Sequence, residues 1–169
     1  LGGIPLLLLA AQAGRLRTGL PHGDWLPASM ESARALDDLR AIGRGNVIQG
    51  IRLVLELPEG SSVRRSAGWN GLGRFVDSLE RDPRVGRVRS MIAVARGMGM
   101  GRSSLWFLPD SVTRGLVSPD GRLALVELLP RESVTAEEAV TLVRELRAVG
   151  ATPTGVTGAR VIVGGLPAF

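Results

Sequence analysis

Residues 115–150 read GLVSPDGRLALVELLPRESVTAEEAVTLVRELRAVG, and the order of patterns inside this stretch decides the fold. Pro119-Asp120-Gly121 supplies turn-forming residues between two apolar runs, so the spacing predicts a hairpin. The second run, RLALVELL, is aliphatic and reads as a strand. Thr135 and Glu138 then form a T-x-x-E capping box, followed by Ala139, Leu142, Val143, Leu146 and Val149 at helical spacing until Gly150. A strand therefore leads directly into a helix, predicted over 135–149.

The same succession occurs upstream. IRLVLELPEG places Ile51, Leu53, Leu55 and Leu57 on one side and Arg52, Val54 and Glu56 on the other, the alternation of a half-buried strand. SAGWNGLGRFVDSLERDP carries Trp69, Leu72, Phe75 or Val76, and Leu79 in helical register, and the helix must stop by Asp82 because the residue before Pro83 disfavours the α region. RVGRVRSMIAVA, with Val85, Val88, Met91 or Ile92, and Val94, suggests a second strand, and ARVIVGG a final one. The order β-α-β-β-α-β is that of an α+β, ferredoxin-like split βαβ domain. It implies a four-stranded antiparallel sheet with helices 67–82 and 135–149 on one face.

Two segments are additions to this order. PASMESARALDDLRAIG predicts an extra N-terminal helix capped by Ser29, with Met30, Ala33, Leu36, Leu39 and Ile42 toward the core and Gly43 as its end. RGMGMGRSSLWFLPD follows neither period and reads as an insertion near 96–114. At the start of the chain, LGGIPLLLLAAQA is apolar for about a dozen residues, short of the roughly 20 a full span needs, and Arg15 and Arg17 come after it rather than before. It reads as the outer end of a membrane-spanning helix (1–13), followed by a junction (14–28) and the folded domain (29–169).

Composition excludes several function classes. The chain has 169 residues, no cysteine and one histidine, so thiolate chemistry and sulfur-ligated metals are out. His22 stands alone in a Pro-His-Gly-Asp turn. Ser61, Ser62, Ser103 and Ser104 have no histidine nearby in sequence, and Asp37-Asp38 and Glu137-Glu138 read as solvated helix faces. No catalytic constellation is visible: a non-enzymatic domain without cofactor or metal is expected. All 21 basic residues are arginine, and the net charge of +5 permits contact with anionic groups without demanding it. RLALVELL offers no aromatic for base stacking, which argues against nucleic acid as a partner. In GNVIQGIRLVLE, an acylphosphatase-like loop would need an arginine where Val54 stands.

The RLRTGLPHGDWLP junction, the LP before MESARALDDL, the VSPDGRLALVELLP hairpin and the terminal TGARVIVGGLPA together resemble the extracytoplasmic, porter-like loop domains of RND-superfamily exporters, especially the MMPL type. The resemblance implies a proton-driven transporter of hydrophobic or lipid-like substrates in a bacterial inner membrane, with this domain on the extracytoplasmic side. Its partners would be the remaining transmembrane domain and the second loop domain of the parent, whose homo-oligomerisation stays open. The alternative is a membrane-tethered ferredoxin-like interaction module without a transport role.

Two groups of site residues are expected. Met98, Met100, Leu105, Trp106 and Phe107 would border the substrate's route, since glycine–methionine alternation gives adaptable apolar contacts. Arg84, Arg87 and Arg89 would face anionic lipid headgroups, because the stretch from Pro83 to Pro109 holds five arginines and no carboxylate.

Overall fold

The computed structural model describes residues 27, 29–103, 113–165 and 167. Four strands form one sheet: β1 (Ile51–Glu56), β2 (Val85–Arg89), β3 (Leu123–Pro130) and β4 (Arg160–Gly165), in the spatial order β2-β3-β1-β4. Every neighbouring pair is antiparallel. It follows that β1 and β2 run parallel with β3 between them, and that β3 and β4 run parallel with β1 between them. The protein is thus an α+β domain built on a four-stranded antiparallel sheet.

Four α-helices accompany the sheet among the described residues: α1 (Glu31–Ala41), α2 (Ser66–Glu80), α3 (Met91–Gly97) and α4 (Ala136–Val149). The alternation read in β1 is the pattern observed. Ile51, Leu53 and Leu55 are fully buried, and in register they meet Leu128, Val126 and Ala124 of β3. Leu72, Phe75, Val76 and Leu79 of α2 and Leu142 and Val143 of α4 close over that same side, so one face of the sheet carries the core. The other face is open among the described residues.

Local chemistry explains the helix ends. Thr135 Oγ1 accepts from the Glu138 N–H at 3.2 Å while the Glu138 carboxylate accepts from the Thr135 N–H at 2.7 Å, completing the capping box. Gly150 ends α4 at φ 55°, a backbone region costly for other residues. The glycines of α2 are explained by close approach. A Cβ on Gly68 would lie 2.2 Å from the Ser62 carbonyl oxygen, and one on Gly71 would lie 2.7 Å from Val156 Cγ2.

Three expectations are corrected. The second strand ends at Arg89, and Met91 to Gly97 form α3 instead of continuing it. Ser90 begins that helix by accepting from the Ala93 N–H at 3.1 Å, and MIAVA is apolar enough to satisfy either period. Ser29 does not cap α1, whose N-cap is Met30 without a side-chain bond. Of the proposed α1 stripe, Ala33 and Leu36 are buried, but Met30 and Ile42 are exposed. The α1 helix is tied down through the following 3-10 turn (Gly45–Gln49), where Asn46 Nδ2 donates to the Pro130 carbonyl at 2.5 Å. The hairpin turn forms as expected, with Gly121 at φ 72° and a single bridge between Val117 and Ala124.

No helix among the described residues is long and apolar enough to cross a membrane. The apolar segment 1–13 and the junction up to residue 26 lie outside the described residues.

Candidate functional site: the open sheet face

The side chains that β1, β3, β2 and β4 turn away from the core share the open face, and the register sets them in rows. One row runs Arg89, Glu127, Arg52, Gly164. The next pairs Leu125 with Val54 and Ile162, and the row beyond joins Leu123, Glu56 and Arg160. An apolar band therefore crosses the sheet between two charged rows.

The first charged row borders a groove of about 800 Å³. Its floor is the backbone of β1 and β3 at Ile51 and Leu128, whose side chains are buried on the core face, and its apolar lining comes from Leu129 of β3 and Ala93 and Val94 of α3. Arg52, Arg87 and Arg89 form its cationic rim. Glu127 sits among them, accepting from Arg89 Nη1 at 2.9 Å and lying 3.7 Å from Arg52 Nε. Three guanidinium groups face one carboxylate, so the rim keeps an excess of positive charge. Both arginines of the pair remain well exposed, at 71% for Arg52 and 65% for Arg89, and so retain donors for a further anion.

The expected headgroup residues thus separate. Arg87 and Arg89 stand on the groove, whereas Arg84 is turned to Asp82 at 2.6 Å and to Glu145 of α4 at 2.5 Å. The hydrogen bonds that Arg84 donates to Asp82 and Glu145 push its guanidinium above its ordinary value, and the bond from the Arg84 side chain holds Asp82 below the usual carboxylate range. Arg96 pairs with Asp77 at 2.7 Å and lies 3.6 Å from Glu80. The stretch without carboxylates is therefore partly neutralised by acids from α2, β3 and α4, partners too distant in sequence for a local reading to pair.

The expected substrate-route residues also divide. Met98 is exposed, and Met100 packs on the core while lining a second cavity of about 390 Å³ with Trp69, Ile92, Arg74, Asp77 and Arg96. Leu105, Trp106 and Phe107 lie outside the described residues. Arg52, Glu127 and Leu129 were missed as site residues. The alternation of β1 already turned Arg52 outward, but only strand register brings it beside Arg89 and Glu127.

The chain matches no known protein family, and no characterised protein resembles it significantly.

Proposed function

We propose that this is a ferredoxin-like, extracytoplasmic loop domain of an RND/MMPL-type exporter, and that its open-face groove receives hydrophobic or lipid-like molecules with an anionic end. The observation that carries this reading is a groove with Leu129, Ala93 and Val94 in its lining and an arginine rim that one glutamate only partly neutralises. Apolar surface would take the hydrocarbon portion. The rim would take the anion, since guanidinium groups bind carboxylate and phosphate through paired, charge-assisted hydrogen bonds. The ferredoxin-like assignment is supported by the strand order β2-β3-β1-β4 and by two crossover helices, α2 and α4, packed on one face; α1 and α3 are additions to it.

The domain would present its groove outside the membrane, with 1–13 as the adjoining end of a span. Energy coupling would reside in membrane helices elsewhere in the parent, and this chain would contribute binding without bond chemistry.

The test is binding of an anionic fluorescent fatty acid and of acidic and neutral vesicles. Arg87→Ala plus Arg89→Ala should weaken binding of the fatty acid and of acidic vesicles, and added salt should do the same. Equal affinity for neutral vesicles, or no effect of the double substitution, refutes the groove's role. The parent reading frame tests the transporter: it should hold further apolar spans and a second copy of this domain.

A further inference from the structure

The two outer strands of the sheet are protected very differently. β2 is five residues long, follows Pro83, is interrupted by a register shift between Val85 and Arg87, and carries Arg87 and Arg89. Bulges, charge and short length are the usual means by which an outer strand is kept from pairing with another chain. β4 has no bulge, and its one charged residue is Arg160 at its first position. Its six residues keep an unbroken register against β1, contain no proline, and pair with β1 alone among the described residues.

The Arg160 charge is exposed but paired, on a carboxylate that also lies 3.8 Å from Arg122. Arg160 turns inward to Glu56 of β1, with Nη2 donating at 2.9 Å and Nε at 3.3 Å. Meanwhile Ile162 is 56% exposed at the end of the apolar band formed with Val54 and Leu125. A regular strand whose outer backbone donors and acceptors have no partner among the described residues, apolar at its centre and with its arginine paired to Glu56, is a template for a further strand.

We infer that β4 pairs antiparallel with β4 of a second copy, about a two-fold axis through Ile162, joining the two sheets into one. Antiparallel two-fold pairing sets residues of equal parity opposite one another. Ile162 meets Ile162 of the second copy, Val161 meets its Val163, and Arg160 meets its Gly164. Each contact suits its residues. The exposed isoleucines cover each other, and the half-buried Val161 and Val163 extend the core side. Each arginine faces a glycine with room above it while its charge stays on Glu56 of its own chain. The open faces of the two copies then lie on the same side, and their apolar bands become continuous. A five-residue seam is a small interface of the weak, reversible class, and it stands or falls independently of any transport role.

The chain lacks cysteine, so a single introduced thiol reports the seam. Directly opposed Cα atoms in an antiparallel pair are about 4.5–5.5 Å apart, within the roughly 4.4–6.8 Å that a disulfide spans. Ile162→Cys should therefore oxidise to a covalent dimer under native conditions. Val54→Cys, on the same row but one strand further in, should not, because some 14 Å of sheet would separate the two thiols. The unsubstituted chain should show a mass that rises with concentration in sedimentation equilibrium. Ile162→Lys, which sets like charges opposite each other at an exposed site, should abolish that rise while circular dichroism and melting temperature stay unchanged. Cross-linking of Ile162→Cys no faster than that of Val54→Cys overturns the inference. So does a monomer at every concentration, or self-association that Ile162→Lys leaves intact.

Discussion

Residues 51–56 belong to two environments at once. Ile51, Leu53 and Leu55 are completely enclosed beneath α2 and α4, whereas Arg52, Val54 and Glu56, their immediate neighbours, lie on the open face. The backbone is shared, so any difference in response to substitution must come from what the side chains touch. The enclosed face fixes the fold, and the open face is free to carry charge, a groove and a partner.

The sharpest break between the faces is truncation. Leu53→Ala should destabilise the protein by about 2–5 kcal/mol in urea unfolding, since it removes buried methyl groups and leaves a cavity. Val54→Ala, one residue away, should cost well under half of that. Equal losses would mean that the open face is covered in solution.

Next in size is a pair of glycines on one helix. Gly68→Ala should destabilise by about 1–3 kcal/mol through overpacking, because its Cβ would meet the Ser62 carbonyl oxygen at 2.2 Å. Gly73→Ala meets nothing nearer than Arg96 Nη2 at 4.0 Å. It should stabilise by up to about 1 kcal/mol, the helix-propensity difference between the two residues. Opposite signs in chemical denaturation check the packing of α2 directly.

Smaller still is Thr135→Ala, expected to cost about 1 kcal/mol through loss of the α4 N-cap. Thr135→Ser should restore most of it. At the salt link joining the β2 entry to α4, pH supplies the probe. The folded-state value of Asp82 is depressed, chiefly by its side-chain bond with Arg84. Its contribution is therefore full above the unfolded carboxylate value near 3.9 and fades as pH falls through the folded value. Asp82→Asn should flatten the acid side of the stability profile and leave the neutral-to-alkaline side unchanged in slope. The smallest effect on stability belongs to Glu127→Gln on the open face, near zero because its arginine partners are solvated. The same substitution should strengthen binding to acidic vesicles by removing the one opposing charge that the described residues place on the rim.

Elements whose determinants are local were legible in the sequence. The alternation of β1, the hairpin turn at Pro119-Asp120-Gly121 and the Thr135–Glu138 capping box each lie within one short window, and each formed. What was misread depends on distant partners or on competing local signals. Val85 and Val88 are three apart, which no regular strand would give; the register shift after Val85 reconciles both with the core face. MIAVA suits either helix or strand, and Ser90 tips it into α3. Of the site, Arg87 and Arg89 were identified from charge alone, while Arg52 and Glu127 needed the pairing of β1 with β3 and β3 with β2. Arg84 looked like its neighbours until Glu145, 61 residues away, arrived to hold it.

The pairing of β4 with β1 has a kinetic consequence. Glu56 and Arg160, which cross-link the two strands, are 104 residues apart, whereas the hairpin turn feeding β3 and the capping box of α4 are closed by contacts within a few positions. Contacts of high sequence separation form slowly because the chain must be gathered before they reward it. β4 should therefore be the last strand to dock, and until it does the edge of β1 stands unpaired in a partly folded species. Refolding should show a slow phase sensitive to substitutions in β4 and insensitive to Thr135→Ala. Losses to aggregation should concentrate in that interval, rising with protein concentration.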